Sequence, residues 1–473
     1  MPMHDEAHAT KDQDDLEAAR RKGIADWVAA HLGGEVREIE RIERWRPCWK
    51  VAYAKDGRVD TVFVRGNRPN AGANALRFEM EVMKTLEANG IRVPHVHGWM
   101  DSPKAFVMDW IDTEDRAPGM LHFAIANPTR MSDERWQAMH DYMGHLAAMH
   151  ALPIEEFTHI RGMFVPKTPA EIALHATERM YQYGVHTGNI DAPLEFLQSW
   201  LRRNVPRHRT QPSFITGDAG QFMAAGPKVA ALLDFEIAAI GDTHWDLACF
   251  RGRHPYEDMG DIPALYRSYA KASGTEVDLR VVGYHTVAFM QLSSIAALTF
   301  QDPDTLGANW IEGILEYCSI TRRALEAIAE LQGQELDRDL HLPEPEIRRF
   351  EDTGLRKLVV DIGRLPTSSA FAPWERDLLG DIPRFLLNHA RYRGWFEAET
   401  VADVARMTGG TYAGMASADA ALLDIVAAGD PGRDEELVRI LHRRLLRLSM
   451  ITAGTDPTDD NLLFYRLDPI LDR

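Results

Sequence analysis

At 473 residues the chain is longer than one ordinary hydrophobic core supports and implies roughly two to four structural units. With 45% hydrophobic and 26% charged residues it has the composition of a soluble globular protein. A formal net charge of -18 argues against nucleic acid as a partner, because phosphate-backbone binding relies on clustered Lys and Arg, but it leaves room for a nucleotide in a local positive pocket.

The chain opens on a polar, His- and Asp-rich stretch, Met1 to Glu17, that has no apolar h-region; residues 1–14 are expected to be disordered. Asp15 to Leu32 then reads as a helix closed by Gly33-Gly34. Val36 to Ile42 alternates as a half-buried strand, and Cys48 to Lys55 and Arg58 to Arg65 form two strand-like runs around Asp56-Gly57, a strong hairpin signal. Asn74 is a candidate N-cap for a helix through Leu76, Met80, Met83 and Leu86, ended by Asn89-Gly90. Val96 to Met100 and Ala105 to Trp110 supply another strand pair around Asp101-Ser102-Pro103.

Beyond Asp112 the pattern turns helical. Ser132 caps a helix striped by Trp136, Met139, Met143, Leu146 and Met149, and Pro169 to Arg203 is a further helical stretch. Phe214 to Arg253 interrupts it with short strands and turns, helices resume from Ile262 to about Leu331, and the polar, Pro-containing Gln332 to Pro345 marks a boundary. Glu346 to Leu365, Trp374 to Trp395, Thr400 to Met407 and Glu435 to Ile451 follow as helices. The expected organisation is a small α+β lobe over residues 15–112, a mainly helical lobe over 113–335 and an all-helical C-terminal domain over 336–473.

The chemistry concentrates between Phe214 and Arg253. Asp218 follows a hydrophobic strand and a glycine, and Asp234 ends the buried run Val229 to Leu233, 16 positions later (234 minus 218). A carboxylate at the end of a buried strand is costly unless it meets a cation, for which Mg²⁺ is the simplest choice. Two carboxylates so arranged suit phosphoryl transfer, one orienting an acceptor hydroxyl and the other holding metal against nucleotide phosphates. Cys48, Cys249 and Cys318 are too scattered for a disulfide framework or a CxxC metal site, and the histidines show no metal-ligand spacing. His150 reads as a core histidine. No run reaches the eighteen or so apolar residues of a membrane span, so the expectation is a cytoplasmic protein with no membrane partner.

Several features, in order, resemble the aminoglycoside phosphotransferase family of small-molecule kinases. They are a strand ending in Arg65, a helix carrying Glu79, the run Phe106-Val107-Met108-Asp109-Trp110-Ile111, Gly217-Asp218, Asp234-Phe235-Glu236, and Gly241-Asp242 followed by Asp246-Leu247-Ala248. The resemblance covers roughly Val36 to Leu331. It is nearer to the branch related to kinase-like domains that accompany acyl-CoA dehydrogenases than to the antibiotic-resistance enzymes.

The resemblance implies a bilobal, protein-kinase-like α+β fold and an ATP- and Mg²⁺-dependent transfer to a hydroxyl of a small molecule. It makes Asp218 the catalytic base and Asp234 the metal ligand. Arg65 takes the place of the phosphate-gripping lysine, with Glu79 as its partner and Glu81 as a rival. Met108, Asp109 and Ile111 form the adenine-binding hinge. The family's His-Gly-Asp is Thr216-Gly217-Asp218 here, and Met223 stands where an Asn is usual. If the loop is two residues shorter, Gln221 is the second metal ligand; otherwise it is a polar loop residue. Asp242 and Asp246 would brace the catalytic turn.

The covering loop, Glu43 to Trp49, has no glycine. Arg44 and Arg46 either contact phosphate through their side chains or stack with Trp45 and Trp49. Arg251 and Arg253 either face an anionic substrate or pair with acids such as Glu257 and Asp258. The helix bearing Arg439, Arg443, Arg444 and Arg447 is read as packed on its own domain, through which the chain could form a homodimer. The branch favours a hydroxylated acid, acyl thioester or lipid-like alcohol as substrate. The alternative function is a nucleotide-binding pseudokinase scaffold that engages a partner through the C-terminal helices.

Overall fold

No glycine or proline interrupts Asp5 to Lys22, and its Ala, Glu, Lys and Gln residues favour helix. In a computed structural model, which describes residues 5–42, 46–67, 73–113, 115–116, 131–298, 310–366, 372–457 and 461–471, helix α1 accordingly runs Asp5–His31. Residues 5–14, expected to be disordered, are its first turns. Gly23 lets α1 settle on the turn after residue 100, since a Cβ there would lie 2.2 Å from the Ser102 carbonyl oxygen.

The small lobe is a five-stranded antiparallel sheet of β1 (Glu35–Ile42), β2 (Cys48–Lys55), β3 (Arg58–Gly66), β4 (Val96–Met100) and β5 (Ala105–Asp109), in the order β1-β2-β3-β5-β4. Asp56 and Gly57 both take positive φ, 51° and 77°, as a two-residue hairpin of the type I′ kind requires. Ile24, Trp27 and Val28 of α1 bury one face of the sheet against Trp49, Val51, Val62, Val64 and Val107. Helix α2 (Ala73–Ala88) covers the other through Leu76, Met80 and Met83; Asn74, expected as its cap, lies inside the first turn.

Strand β6 (Asp115–Arg116) leads toward the helical lobe. Helix α3 (Asp133–His150) is capped by Ser132, whose Oγ accepts from the Arg135 amide at 3.1 Å. The helical stretch from Pro169 to Arg203 is two helices, α4 (Pro169–Thr187) and α5 (Ala192–Arg203). Gly188 in the left-handed region ends the first, while Asp191 caps the second just before Pro193. Strands β7 (Ser213–Ile215), β8 (Phe222–Ala225), β9 (Lys228–Leu232) and β10 (Ala239–Gly241) form two small sheets, β10-β7 and β6-β8-β9. They are followed by α6 (Thr243–Arg253), α7 (Ile262–Ser273), α8 (Leu279–Leu298) and α9 (Trp310–Gln332). This is the bilobal, protein-kinase-like α+β fold expected.

By length and composition α8 could cross a membrane, but 78% of the relevant stretch is buried inside the protein. Arg280, His285, Gln291 and Ser294 break its apolar run, which is why the sequence reading passed over it. The C-terminal segment contributes α10 (Arg349–Ile362), α11 (Ala372–Thr408), α12 (Met415–Ala428) and α13 (Asp434–Ala453). It has a small cluster of its own around Leu446, Met450 and Phe464, but most of its buried residues lie elsewhere. Val404, Ala418, Leu422, Val426, Leu437, Val438, Leu441 and Leu445 join the same hydrophobic cluster as Leu146, Leu197, Val287 and Leu325 of the helical lobe.

Candidate active site

Strand β7 delivers Thr216 to Asp218 into a turn that only glycine can make at its centre. Gly217 has φ 81°, and a Cβ there would meet the Ile237 carbonyl oxygen at 2.2 Å. The turn is fixed from α6. Asp246, fully buried, accepts from the Thr216 amide at 2.7 Å and the Gly217 amide at 2.9 Å, and Trp245 Nε1 donates to the Gly217 carbonyl at 2.8 Å. His150, the expected core histidine, lies between Asp246 Oδ2 at 3.0 Å and the Tyr269 hydroxyl at 2.7 Å. Asp242 caps α6 through the His244 amide and receives Arg209 Nε at 2.9 Å. Burial opposes its charge, but His244, His285 and Arg209 hold its carboxyl well below the usual range. Asp246 therefore makes the bracing contacts expected of it, whereas the contacts of Asp242 are with Arg209, His285 and the start of α6.

Asp218 sits half-buried at the end of this turn. Arg253, from the last turn of α6, reaches its Oδ1 with Nη2 at 2.5 Å and Nε at 3.1 Å, and also pairs with Glu257. Burial raises the Asp218 pKa, Arg253 opposes the rise, and the charge of nearby Asp234 adds to it. Burial likewise pushes the Glu257 carboxyl up to about 7 against the pull of Arg253. In the amide orientation that satisfies its hydrogen bonds, Gln221 accepts from Arg253 Nη1 at 3.2 Å and Nη2 at 2.5 Å. Its oxygen therefore faces the guanidinium that holds Asp218.

Asp234 follows β9 with φ 65°, a left-handed backbone that is rare outside glycine and concentrates at functional sites. Its Oδ1 accepts from Arg65 Nη2 at 2.8 Å, while Arg65 Nε donates to Glu79 Oε2 at 2.9 Å. The expected Arg65–Glu79 pair is thus formed, and it extends to the candidate metal ligand. Glu81, the rival, turns to Lys84 at 3.2 Å on the surface. Burial disfavours the Arg65 charge, but Glu79 and Asp234 hold its pKa above the ordinary value; burial raises that of Glu79 despite Arg65. Arg46 lies 3.8 Å from Glu79 and pairs with Glu236. Glu43, Arg44 and Trp45 of the same loop lie outside the described residues.

The hinge residues lie where β5 leaves the sheet. Met108 is buried in the main core, Asp109 donates its amide to the His95 carbonyl at 2.9 Å, and the Ile111 carbonyl accepts from Thr113 N at 3.2 Å. Asp234 offers the hard oxygen donor magnesium prefers, whereas the Gln221 oxygen is turned to Arg253. Among the described residues no group of three or more His, Cys, Asp or Glu could hold a metal by itself.

The Arg253–Glu257 pair is one of the two readings the sequence offered, but the reach of Arg253 to Asp218 and the pairing of Glu236 with Arg46 were not assigned from sequence. The available signals were the Arg253 to Glu257 spacing of one helical turn and the acid two residues after Asp234.

Residues 49–285, half of the chain, match the model of the phosphotransferase enzyme family, APH. Among solved structures, a macrolide 2'-phosphotransferase from Brachybacterium faecium is similar at 16% identity, covering 59% of this chain and 90% of that one, with a TM-score of 0.44. An ethanolamine kinase from Plasmodium vivax is similar at 13% identity, covering 62% and 86%, with a TM-score of 0.43. A thermostable aminoglycoside phosphotransferase mutant, solved with ADP and hygromycin B, is similar at 13% identity, covering 63% and 98%, with a TM-score of 0.41. No curated protein matches the chain.

Proposed function

The chain belongs to the phosphotransferase enzyme family, whose model spans residues 49–285, and from that premise we propose that it transfers the γ-phosphoryl group of ATP to a hydroxyl of a small molecule. The observation that carries this reading is Arg65 bridging Glu79 of the small lobe and Asp234 of the helical lobe, with the charge of Asp234 felt at Asp218.

In this mechanism Asp218 accepts a hydrogen bond from the acceptor hydroxyl and takes its proton as the bond to phosphorus forms. Burial raises its pKa, which strengthens it as a base, and the Arg253 guanidinium opposes that rise. Arg65, oriented by Glu79, exchanges Asp234 for the nucleotide phosphates, a task its planar fork performs with two parallel bonds. Asp234 would hold Mg²⁺, joined by Gln221 once its oxygen turns from Arg253, and the ion would supply neutralisation of charge on the phosphate oxygens. Met108, Asp109 and Ile111 offer the hinge main chain to adenine. We place the reaction in the cytoplasm and favour a hydroxylated acid, acyl thioester or lipid-like alcohol as acceptor. Phe350 at 87% exposure and Leu379 at 51% on α10 and α11 support a homodimer through this segment, tested by the mass in solution.

Transfer of labelled phosphate from ATP to a panel of hydroxylated small molecules tests the assignment. Asp218→Asn and Asp234→Ala are each expected to lower the rate by about 10² to 10⁴; unchanged rates would overturn it. One observation favours a second reading, the non-catalytic scaffold: each aspartate is already tied to an arginine. Stabilisation by ATP that depends on Mg²⁺ in a thermal-shift titration supports the kinase, and its absence supports the scaffold.

A further inference from the structure

We infer that Arg46 and Glu236 form a latch between the lobes, and that Arg46 leaves Glu236 to bind the polyphosphate of a nucleoside triphosphate. This rests on the kinase reading above and goes beyond it in naming how this chain covers the nucleotide.

Residues 43–49 contain no glycine, so the loop lacks the bare backbone amides that cradle phosphate in a glycine-rich turn. What the loop places at the cleft instead is a guanidinium. Arg46 is 5% exposed, lies 3.8 Å from Glu79 and pairs with Glu236, a residue 190 positions away in the helical lobe. Glu236 stands two residues after Asp234, so the latch grips the turn that carries the candidate metal ligand.

Charge decides which contact yields. Among the described residues, Arg46 and Arg65 face three carboxylates, Glu79, Asp234 and Glu236. A triphosphate adds more negative charge and cannot enter unless both arginines turn to it. Glu79 is 1% exposed and cannot leave, whereas the Glu236 side chain is 22% exposed and can swing to solvent. Glu236 is therefore the partner Arg46 gives up. Because the latched state does not bind, it lowers the apparent nucleotide affinity by the fraction of molecules it occupies.

The test is calorimetric titration of the full chain with Mg-ATP, alongside thermal shift with adenosine. Arg46→Ala is expected to weaken Mg-ATP binding by about tenfold to a hundredfold, the scale of a charge-assisted bond, with no change in the response to adenosine. Glu236→Gln, which keeps the shape and removes the competing charge, is expected to tighten Mg-ATP binding several-fold and decides the matter if the alanine variant does not fold. Unchanged affinity in Arg46→Ala, equal losses for adenosine and ATP, or weaker binding in Glu236→Gln overturns the latch alone. No Mg-ATP binding by the wild type overturns the kinase reading and the latch with it.

Discussion

Arg253 serves two acids at once, and the one that does not face the acceptor is poised to titrate. Glu257 has its carboxyl pushed up to about 7 by burial, from an ordinary 4.5. Between those values the folded protein keeps a proton that the unfolded chain has lost. Stability therefore falls as pH rises from about 4.5 through about 7, by at most about 3 kcal/mol from this group. Glu257→Gln carries no such proton. Urea denaturation at steps from pH 5 to pH 8 should show the wild type losing ground to the variant, and a gap that is flat or moves the other way would remove Glu257 from this role. Sequence made Asp218 and Asp234 legible because each sits at the end of an apolar strand beside turn residues. It offered Glu257 as a partner for Arg253, but the second bond, to Asp218, joins residues 35 positions apart and has no local signal.

Helix α6 shows how much of the site is held by an element rather than by its reacting groups. Its Asp246 satisfies the amides of Thr216 and Gly217 and engages His150, all buried. Asp246→Ala would leave two amides and an imidazole without their acceptor, which should cost about 3 to 5 kcal/mol in urea denaturation and loosen the turn bearing Asp218. The transfer rate measured in the remaining folded protein should fall as well; full activity there would show that the turn holds its shape unaided. The Gly-Asp and Asp-Leu-Ala pattern made this bracing readable in advance. Other elements were not readable. Helix α12 went unnoticed because its buried residues, Ala418, Leu422 and Val426, stand among other alanines that blur the apolar stripe. Helix α11 continues as one piece through Phe396 to Glu399, where the sequence reading broke it, because that join is made of residues that tolerate helix.

At the scale of the whole molecule, residues 336–473 were expected as an appended domain because a polar, proline-containing stretch precedes them. Composition marks the linker but does not say what lies against α5 and α9. Helix α13 fills the face of α9, and two of its arginines are tied down within the segment: Arg447 bonds Asp403 at 2.6 Å and Arg444 bonds Asp419 at 2.5 Å, while Arg439 is exposed. The final segment is strapped down by groups from the helical lobe. Arg251 donates to the Asp468 carbonyl at 2.7 Å and Arg322 to that of Tyr465 at 2.7 Å, while Glu330 accepts from the Ile470 amide at 2.6 Å and the Leu471 amide at 2.9 Å. Deleting 336–473 would strip an apolar face and leave the almost fully buried guanidiniums of Arg251 and Arg322 short of acceptors. Arg251 and Arg322 would keep Glu330 and Glu326, so the cost is chiefly apolar surface returned to water, about 25 cal/mol per Å², set against the 5 to 15 kcal/mol that typically separates folded from unfolded. The fragment 1–335 should therefore be insoluble or melt without a cooperative transition. Limited proteolysis near Gln332 to Pro345 should likewise yield no stable N-terminal piece. A soluble 1–335 fragment that unfolds cooperatively near the temperature of the full chain would mean that the two parts are separate domains, and that α13 rests on the kinase-like lobe without supporting it.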